Sequence, residues 1–377
     1  MSTASVTGGP LPPLQKIPRQ IAAVADYAQF ARDRVDPAVW AWLDSGSGDG
    51  DSSRDNLQAF KRLRLTPRML ADVAGGNTRL ELLCTTLEHP ILVAPVGYQR
   101  LLHPEGELAT ALAASALRAA MVVSTQASVH LEQIASVAQS PLWFQLYVQP
   151  DRGFTRDLIQ RAEAAGCQAL VVTVDAPIQG LRNDEQRTGF ALPPGIGAAN
   201  LEGMAIAPPH QVRAGDDSLF DSPLLASAAT WQDIEQVCRD SRLPVLVKGI
   251  MHPDDATQAL ACGAAGLVIS NHGGRSLDGA PAPIDALPLI AARIDPVKVP
   301  LLVDGGVRRG TDVLKALALG ARAVLVGRGC MHGLATAGAI GVAHVLHLLR
   351  TELEAAMVLT GCRDLAAIDR GVLWPPA

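Results

Sequence analysis

The chain has little of what would tie it to nucleic acid, a membrane or an oxidising compartment. Its six cysteines, Cys84, Cys167, Cys238, Cys262, Cys330 and Cys362, include no CxxC pair. Scattered thiols of this kind speak for a reduced, cytoplasmic setting and against a disulfide framework or a zinc site, so no metal is expected. An excess of one charge is also missing. With 32 Lys and Arg against 37 Asp and Glu the net charge is -5, which draws the chain neither to nucleic acid nor to an anionic membrane. No apolar run reads as long enough to span a bilayer. Residues 1–20 are rich in Ser, Thr, Gly and Pro and lack the apolar core of a signal peptide, so they read as a disordered leader ahead of a single domain, 21–377.

What is present is a repeated unit. Asp26 to Asp44 has helical spacing, ended by SGSGDGDSS, and Asn56 to Arg68 leads through Pro67 to the short apolar run Leu80 to Cys84. These stretches form an N-terminal layer. From Ile91 onward an apolar strand, a polar strand end and an Ala/Leu-rich helix recur. The strands read as 91–95, 121–125, 142–148, 169–174, 244–248, 266–269, 300–303 and 323–326. Eight such units predict a closed (β/α)₈ TIM barrel, an α/β fold whose active site lies at the C-terminal strand ends. An open doubly wound sheet is the alternative. Pro104-Glu105-Gly106-Glu107 and Pro253-Asp254-Asp255 mark helix starts. The rhythm breaks after the fourth strand, where residues 176–229 are Pro-, Gly- and Ser-rich with little periodicity. An insertion there reads as a lid over the site.

The strand ends collect Gly97, Ser124, Gln145, Tyr147, Thr173, Asp175, Lys248, His272, Asp304 and Arg328 at one mouth. So many polar groups at the ends of apolar strands do not suit a core, where unpaired polar atoms are costly. The central stretch is Gly266 to Asp278. There a buried strand stops at His272, which can take a proton near neutral pH, and Arg275 follows with a planar fork suited to a carboxylate. The segments 304–310 (DGGVRRG) and 327–329 (GRG) add glycines, arginines and a helix N-terminus where barrels hold phosphate groups, and imply a phosphorylated cofactor or substrate.

Taken together, SNHGGRSLDG, WFQLYV, VTVDAP, VLVKGI, LVDGGVRRGTDVLKALALGA and HPEGE make the chain resemble the FMN-dependent 2-hydroxy acid oxidases and dehydrogenases, over about residues 24–370. Within that family VGYQRLLHPEGEL and TGFALP are most similar to the 4-hydroxymandelate oxidases. The resemblance implies oxidation of an (S)-2-hydroxy acid to the 2-oxo acid with FMN as cofactor, in a homo-oligomer, tetrameric by family likeness. It makes His272 the base and Asp175 its orienting carboxylate, with Arg275 and Arg182 on the substrate carboxylate and Tyr147 hydrogen-bonded to the substrate. It places Lys248 at the pyrimidine edge of the flavin, and Ser124, Gln145 and Thr173 on its polar edge. Pro95, Val96, Gly97 and Ser270 join the cofactor set, and Asp304, Gly305, Gly306, Arg308, Gly327 and Arg328 take the ribityl chain and phosphate.

Three residues depart from the glycolate oxidase pattern. Trp42 stands for a substrate-binding tyrosine, Gln126 for a bulky aromatic in the pocket wall, and Gly97 for an alanine found in many oxidases. The first two point to a bulky or aromatic, mandelate-like substrate. The third leaves dioxygen and a quinone-type acceptor both open. His272 can take the hydroxyl proton as hydride leaves, or the α-proton first; both remain open. So do two other readings: a different FMN barrel such as a type 2 isopentenyl diphosphate isomerase, and an inactive barrel acting as a binding protein.

Overall fold

The computed structural model describes residues 9–83, 85–204, 218, 220 and 223–375. Two strands, β1 (Leu80–Leu82) and β2 (Thr85–Leu87), form an antiparallel hairpin. Eight more follow: β3 (Ile91–Val93), β4 (Met121–Ser124), β5 (Leu142–Leu146), β6 (Leu170–Thr173), β7 (Val245–Ile250), β8 (Gly266–Ile269), β9 (Leu301–Val303) and β10 (Ala323–Val326). All eight pair in parallel, and β10 pairs with both β9 and β3, which closes the barrel. The expected TIM barrel is therefore the fold, and each expected strand is present.

Apolar residues continue without interruption along these strands because both faces are covered. Alternate residues Leu92, Val122, Trp143, Val171, Leu246, Val268, Leu302 and Leu325 point inward and pack as one cluster. Their neighbours Ile91, Val123, Phe144, Val172, Val247, Leu267, Val303 and Val324 pack outward against the helices. The hairpin joins the inner cluster through Leu80, Leu82 and Leu87, each almost fully buried. Burying a leucine contributes about 1.5–3 kcal/mol, so these three plug one end of the barrel and leave the other for polar groups.

The helices are α1 (Tyr27–Arg32), α2 (Pro37–Asp44), α3 (Asp51–Arg62), α4 (Glu107–Leu117), α5 (Leu131–Val137), α6 (Arg152–Ala164), α7 (Asn183–Thr188), α8 (Pro223–Ala226), α9 (Trp231–Asp240), α10 (Pro253–Ala261), α11 (Pro283–Arg293), α12 (Gly310–Ala318) and α13 (Arg328–Thr360). The single helical stretch expected over 26–44 is two helices. Pro37 lacks an N–H and opens α2, and the Asp36 carboxylate accepts from Ala38 N at 2.8 Å as its cap. The polar run after it does not stay a loop: its last residues, Asp51 to Ser53, are already the first turn of α3, where Asp278 accepts from Asp49 N and Ser52 N at 2.9 Å. Pro253 opens α10 as expected, whereas α4 starts at Glu107 itself, after the Pro104 turn.

Residues 9–20 belong to the expected leader, yet Leu11 N and Leu14 N donate to Asp33 O and Thr336 O at 3.0 and 2.8 Å. That part is held against the body; residues 1–8 lie outside the described ones. The expectation of no membrane-length run also needs correcting. Among the described residues α13 is long and apolar enough by length and composition, but 67% of its apolar window is buried inside the protein. Its regular backbone breaks at Ala337–Gly338, and Val342, Val345, Leu346, Leu349 and Leu353 lie in the core. It packs as a core helix. Within the 176–229 insertion the described residues form α7, a short turn at Ala199–Leu201 and α8, while 205–217, 219 and 221–222 lie outside the described residues.

Candidate active site

A cavity of about 1400 Å³ opens at the C-terminal ends of the strands. Strand register builds its polar floor. Ser124 on β4 lies opposite Gln145 on β5, and Thr173 on β6 opposite Lys248 on β7. The four side chains therefore stand side by side: Ser124 Oγ donates to Gln145 Oε1 at 3.2 Å, and Gln145 Nε2 donates to Thr173 Oγ1 at 3.1 Å. Lys248, only 4% exposed, ion-pairs with Asp304 Oδ2 at 3.2 Å and donates to Ser270 Oγ at 2.9 Å. Burial works against its charge, but Asp304, Asp175 and Tyr147 more than offset this and hold its pKa above the ordinary lysine value.

His272 projects into this cavity from the end of β8. Its φ of +58° is a left-handed conformation that non-glycine residues rarely adopt. The loop holds it there because His272 N donates to Ser270 Oγ at 3.0 Å. Its ring Nδ1 meets Asp175 Oδ1 at 2.7 Å. Burial raises the Asp175 pKa, yet the His272 and Lys248 charges and the His272 hydrogen bond bring it below the usual carboxylate range. The aspartate can approach because β7 bulges at Gly249, where a Cβ would fall 2.5 Å from Asp175 Cβ. The arrangement fixes one ring nitrogen and leaves the Nε2 side toward the cavity, which suits a proton acceptor.

Two arginines stand beside it. Arg275 donates through Nη1 to Trp42 O and Ser45 O, at 2.7 and 2.9 Å, and through Nη2 to Glu185 Oε1 at 3.2 Å. Arg182 donates to Arg275 O and lies 3.5 Å from the same Glu185 oxygen. Burial, reinforced by the Arg275 charge, pushes the Arg182 pKa down to about 9. Tyr147 is pushed up to about 12 by burial. Trp42, at the end of α2, forms an aromatic wall with Phe190, stacked at 5.9 Å, and Tyr98, edge-on at 6.3 Å. Neither Phe190 nor Tyr98 stands out in the sequence, although both sit in quoted motifs. Glu185 is missed as well, since an acid in a polar insertion gives no signal of its partners.

The other expected residues divide. Pro95, Val96, Gly97, Gln126, Asp304, Gly305, Gly306, Arg308, Gly327 and Arg328 line the cavity. Ser270 does not; it is fully buried and props Lys248 and His272 from behind. Arg328, expected on a phosphate, donates to the carbonyls of Leu43, Ser45 and Gly273 at 3.3, 2.9 and 2.9 Å, and so binds the end of α2 to the His272 loop. Glu107 of HPEGE is fully buried and accepts from Gln99 N at 3.1 Å and from Ser128 N and Oγ at 2.9 and 2.7 Å, which clamps the loops after β3 and β4.

Asp304 Oδ1, Asp175 Oδ2 and Arg182 Nε are buried without a hydrogen-bond partner among the described residues. Orphaned polar atoms around one cavity are the mark of a ligand site. A flavin mononucleotide fits it: the Ser124–Gln145–Thr173 row offers donors and acceptors to a polar ring edge, Lys248 a buried cation, and Asp304 an acceptor for a hydroxyl chain.

Comparison with known proteins agrees. The FMN-dependent dehydrogenase family matches over residues 31–375. An L-lactate oxidase of Alicycliphilus denitrificans is 45% identical, with 96% of this chain and 99% of the relative covered. A 4-hydroxymandelate oxidase of Amycolatopsis orientalis is 44% identical, with 92% and 97% covered. A solved structure of a mandelate oxidase with (S)-2-phenylpropionate is 43% identical and superposes with a TM-score of 0.84, over 94% of this chain and 98% of that one. Family match, barrel and site geometry together place this chain in the FMN-dependent dehydrogenase family, as an oxidoreductase among the 2-hydroxy acid oxidases.

Proposed function

We propose that the protein oxidises aromatic or otherwise bulky (S)-2-hydroxy acids of the mandelate type to the 2-oxo acid. The observation that carries this is the wall of Trp42, Tyr98 and Phe190 in the cavity that also holds His272 and the two arginines. Offset and edge-on aromatic contacts reward a substrate ring there with about 0.5–1.5 kcal/mol beyond burial. Overall identity does not choose the substrate, because lactate and hydroxymandelate oxidases are about equally similar to this chain.

In this reading Arg275 and Arg182 bind the substrate carboxylate and Tyr147 holds its hydroxyl side. His272 takes the departing proton, and Asp175 fixes the ring and stabilises the imidazolium. FMN supplies the two-electron oxidation. Ser124, Gln145, Thr173 and Lys248 hold its ring edge; Asp304, Arg308 and the Gly305, Gly306 and Gly327 backbone hold the ribityl chain and phosphate. Arg328 acts mainly through the backbone it ties together. Electrons then pass to dioxygen or a quinone-type acceptor. A cytoplasmic setting and a homo-oligomer belong to the same proposal.

Flavin reduction by (S)-mandelate, lactate and glycolate, compared by kcat/KM, tests it. Mandelate should lead; glycolate or lactate ahead of mandelate would reject the aromatic assignment.

A further inference from the structure

Among the described residues Glu185 is the one carboxylate that meets both arginines of the clamp. Its Oε1 accepts from Arg275 Nη2 at 3.2 Å and lies 3.5 Å from Arg182 Nε. Its side chain is 9% exposed, yet it belongs to the cavity lining. The other charges there are matched differently: Lys248 with Asp304, Asp175 with His272, and Arg328 with backbone carbonyls. The Arg275 Nη1 edge is taken up by the Trp42 and Ser45 carbonyls, its Nη2 is held by Glu185, and Arg182 Nε is buried beside the same carboxylate. Glu185 already sits against both.

Within the clamp two guanidinium groups and one carboxylate leave one net positive charge, to which Arg328, hydrogen-bonded to carbonyls, adds its field at Arg182 and Arg275, and in a partly desolvated pocket such unit charges interact far more strongly than in water. One incoming carboxylate neutralises the charge of the Arg182, Arg275 and Glu185 set itself. A second negative charge would face Glu185 across a short, poorly screened gap. We propose that Glu185 is a specificity-determining residue that sets the clamp to accept singly charged 2-hydroxy acids and to disfavour dianions.

This rests on the hydroxy acid reading above but is tested by binding rather than turnover. Oxamate and oxalate have nearly the same shape and differ by one charge, so the ratio Kd(oxamate)/Kd(oxalate) isolates the charge preference. It is measured by calorimetry on the FMN-loaded enzyme. Glu185→Gln leaves two unbalanced guanidinium groups, and the ratio should rise about tenfold. Arg182→Gln leaves a neutral clamp and should move the ratio down. The double variant restores one net positive charge and should return it near the wild-type value, an outcome that general damage to the site would not give. A ratio that stays within about threefold in Glu185→Gln overturns the proposal. So does a rise in Arg182→Gln, which stays decisive if Glu185→Gln does not fold. Failure of mandelate to reduce the wild-type flavin would instead sink the substrate assignment and leave these ratios measurable.

Discussion

Two histidine–aspartate pairs lie beside the same cavity, and they differ in what reaches the ring. His272 meets Asp175 through Nδ1 at 2.7 Å, with its side chain 24% exposed toward the cavity. His332 meets Asp44 through Nε2 at 3.1 Å, is 4% exposed, and stacks on Trp40 at 5.2 Å. Burial pushes its pKa below the ordinary histidine value, against the pull of Asp44. A carboxylate partner is common to both, so pairing alone does not make a catalytic base. Access for a substrate atom on the far ring nitrogen does, and only the strand end supplies it.

The sharpest way to break this comparison is to truncate each ring. His272→Ala should lose about 10²–10⁴-fold in the rate of flavin reduction while binding FMN normally. His332→Ala should stay close to wild type in rate and lose melting temperature, because it leaves a cavity under Trp40. Stopped-flow reduction beside thermal melts reads both; equal loss of rate would end the distinction.

Arg275→Lys comes next. Its fork serves Trp42 O, Ser45 O and Glu185 at once, and a point charge cannot. The expected result is a rise of about tenfold or more in KM with retained FMN, in steady-state kinetics.

Gly97→Ala is smaller and concerns packing as much as the electron acceptor. The added Cβ would stand 2.9 Å from Gln126 Cβ and 3.0 Å from Gln126 O. The loop must shift, at a cost of about 1–3 kcal/mol. Reoxidation by dioxygen and by a soluble quinone, followed with stability, separates the two effects. Fast dioxygen reoxidation unchanged by the methyl would show that Gly97 does not choose the acceptor.

The smallest effect is the pH dependence of the structural pair. With the His332 pKa lowered by folding, the unfolded chain takes the proton first as pH falls. Its contribution to stability is therefore complete above about pH 6.5 and declines as pH drops toward the folded-state value. His332→Gln should flatten the fall in melting temperature between about pH 6.5 and 5. An unchanged slope would place the acid sensitivity elsewhere.

The barrel can be read from the chain alone, because eight apolar runs ending in polar residues have one economical closed arrangement. So can the cluster at the mouth: Ser124, Gln145, Thr173, Lys248, His272 and Asp304 are legible as strand ends, since strand direction alone sends them to one side. Even Arg275 stands out, three residues from His272. What stays hidden until the chain is folded is who answers whom across it. Nothing near Arg328 tells that its donors belong to carbonyls of Leu43 and Ser45, 285 and 283 residues earlier. Ser270 looks like a ligand because it lies two residues before His272, but its hydroxyl is fully buried and taken up by Lys248 Nζ and His272 N. Glu185 lies in an insertion without periodicity, and Tyr98 and Phe190 come from separate loops that meet only on Trp42. These are long-range contacts, fixed when strand register and loop packing bring distant segments within hydrogen-bond or ring-contact range, and no local pattern encodes them.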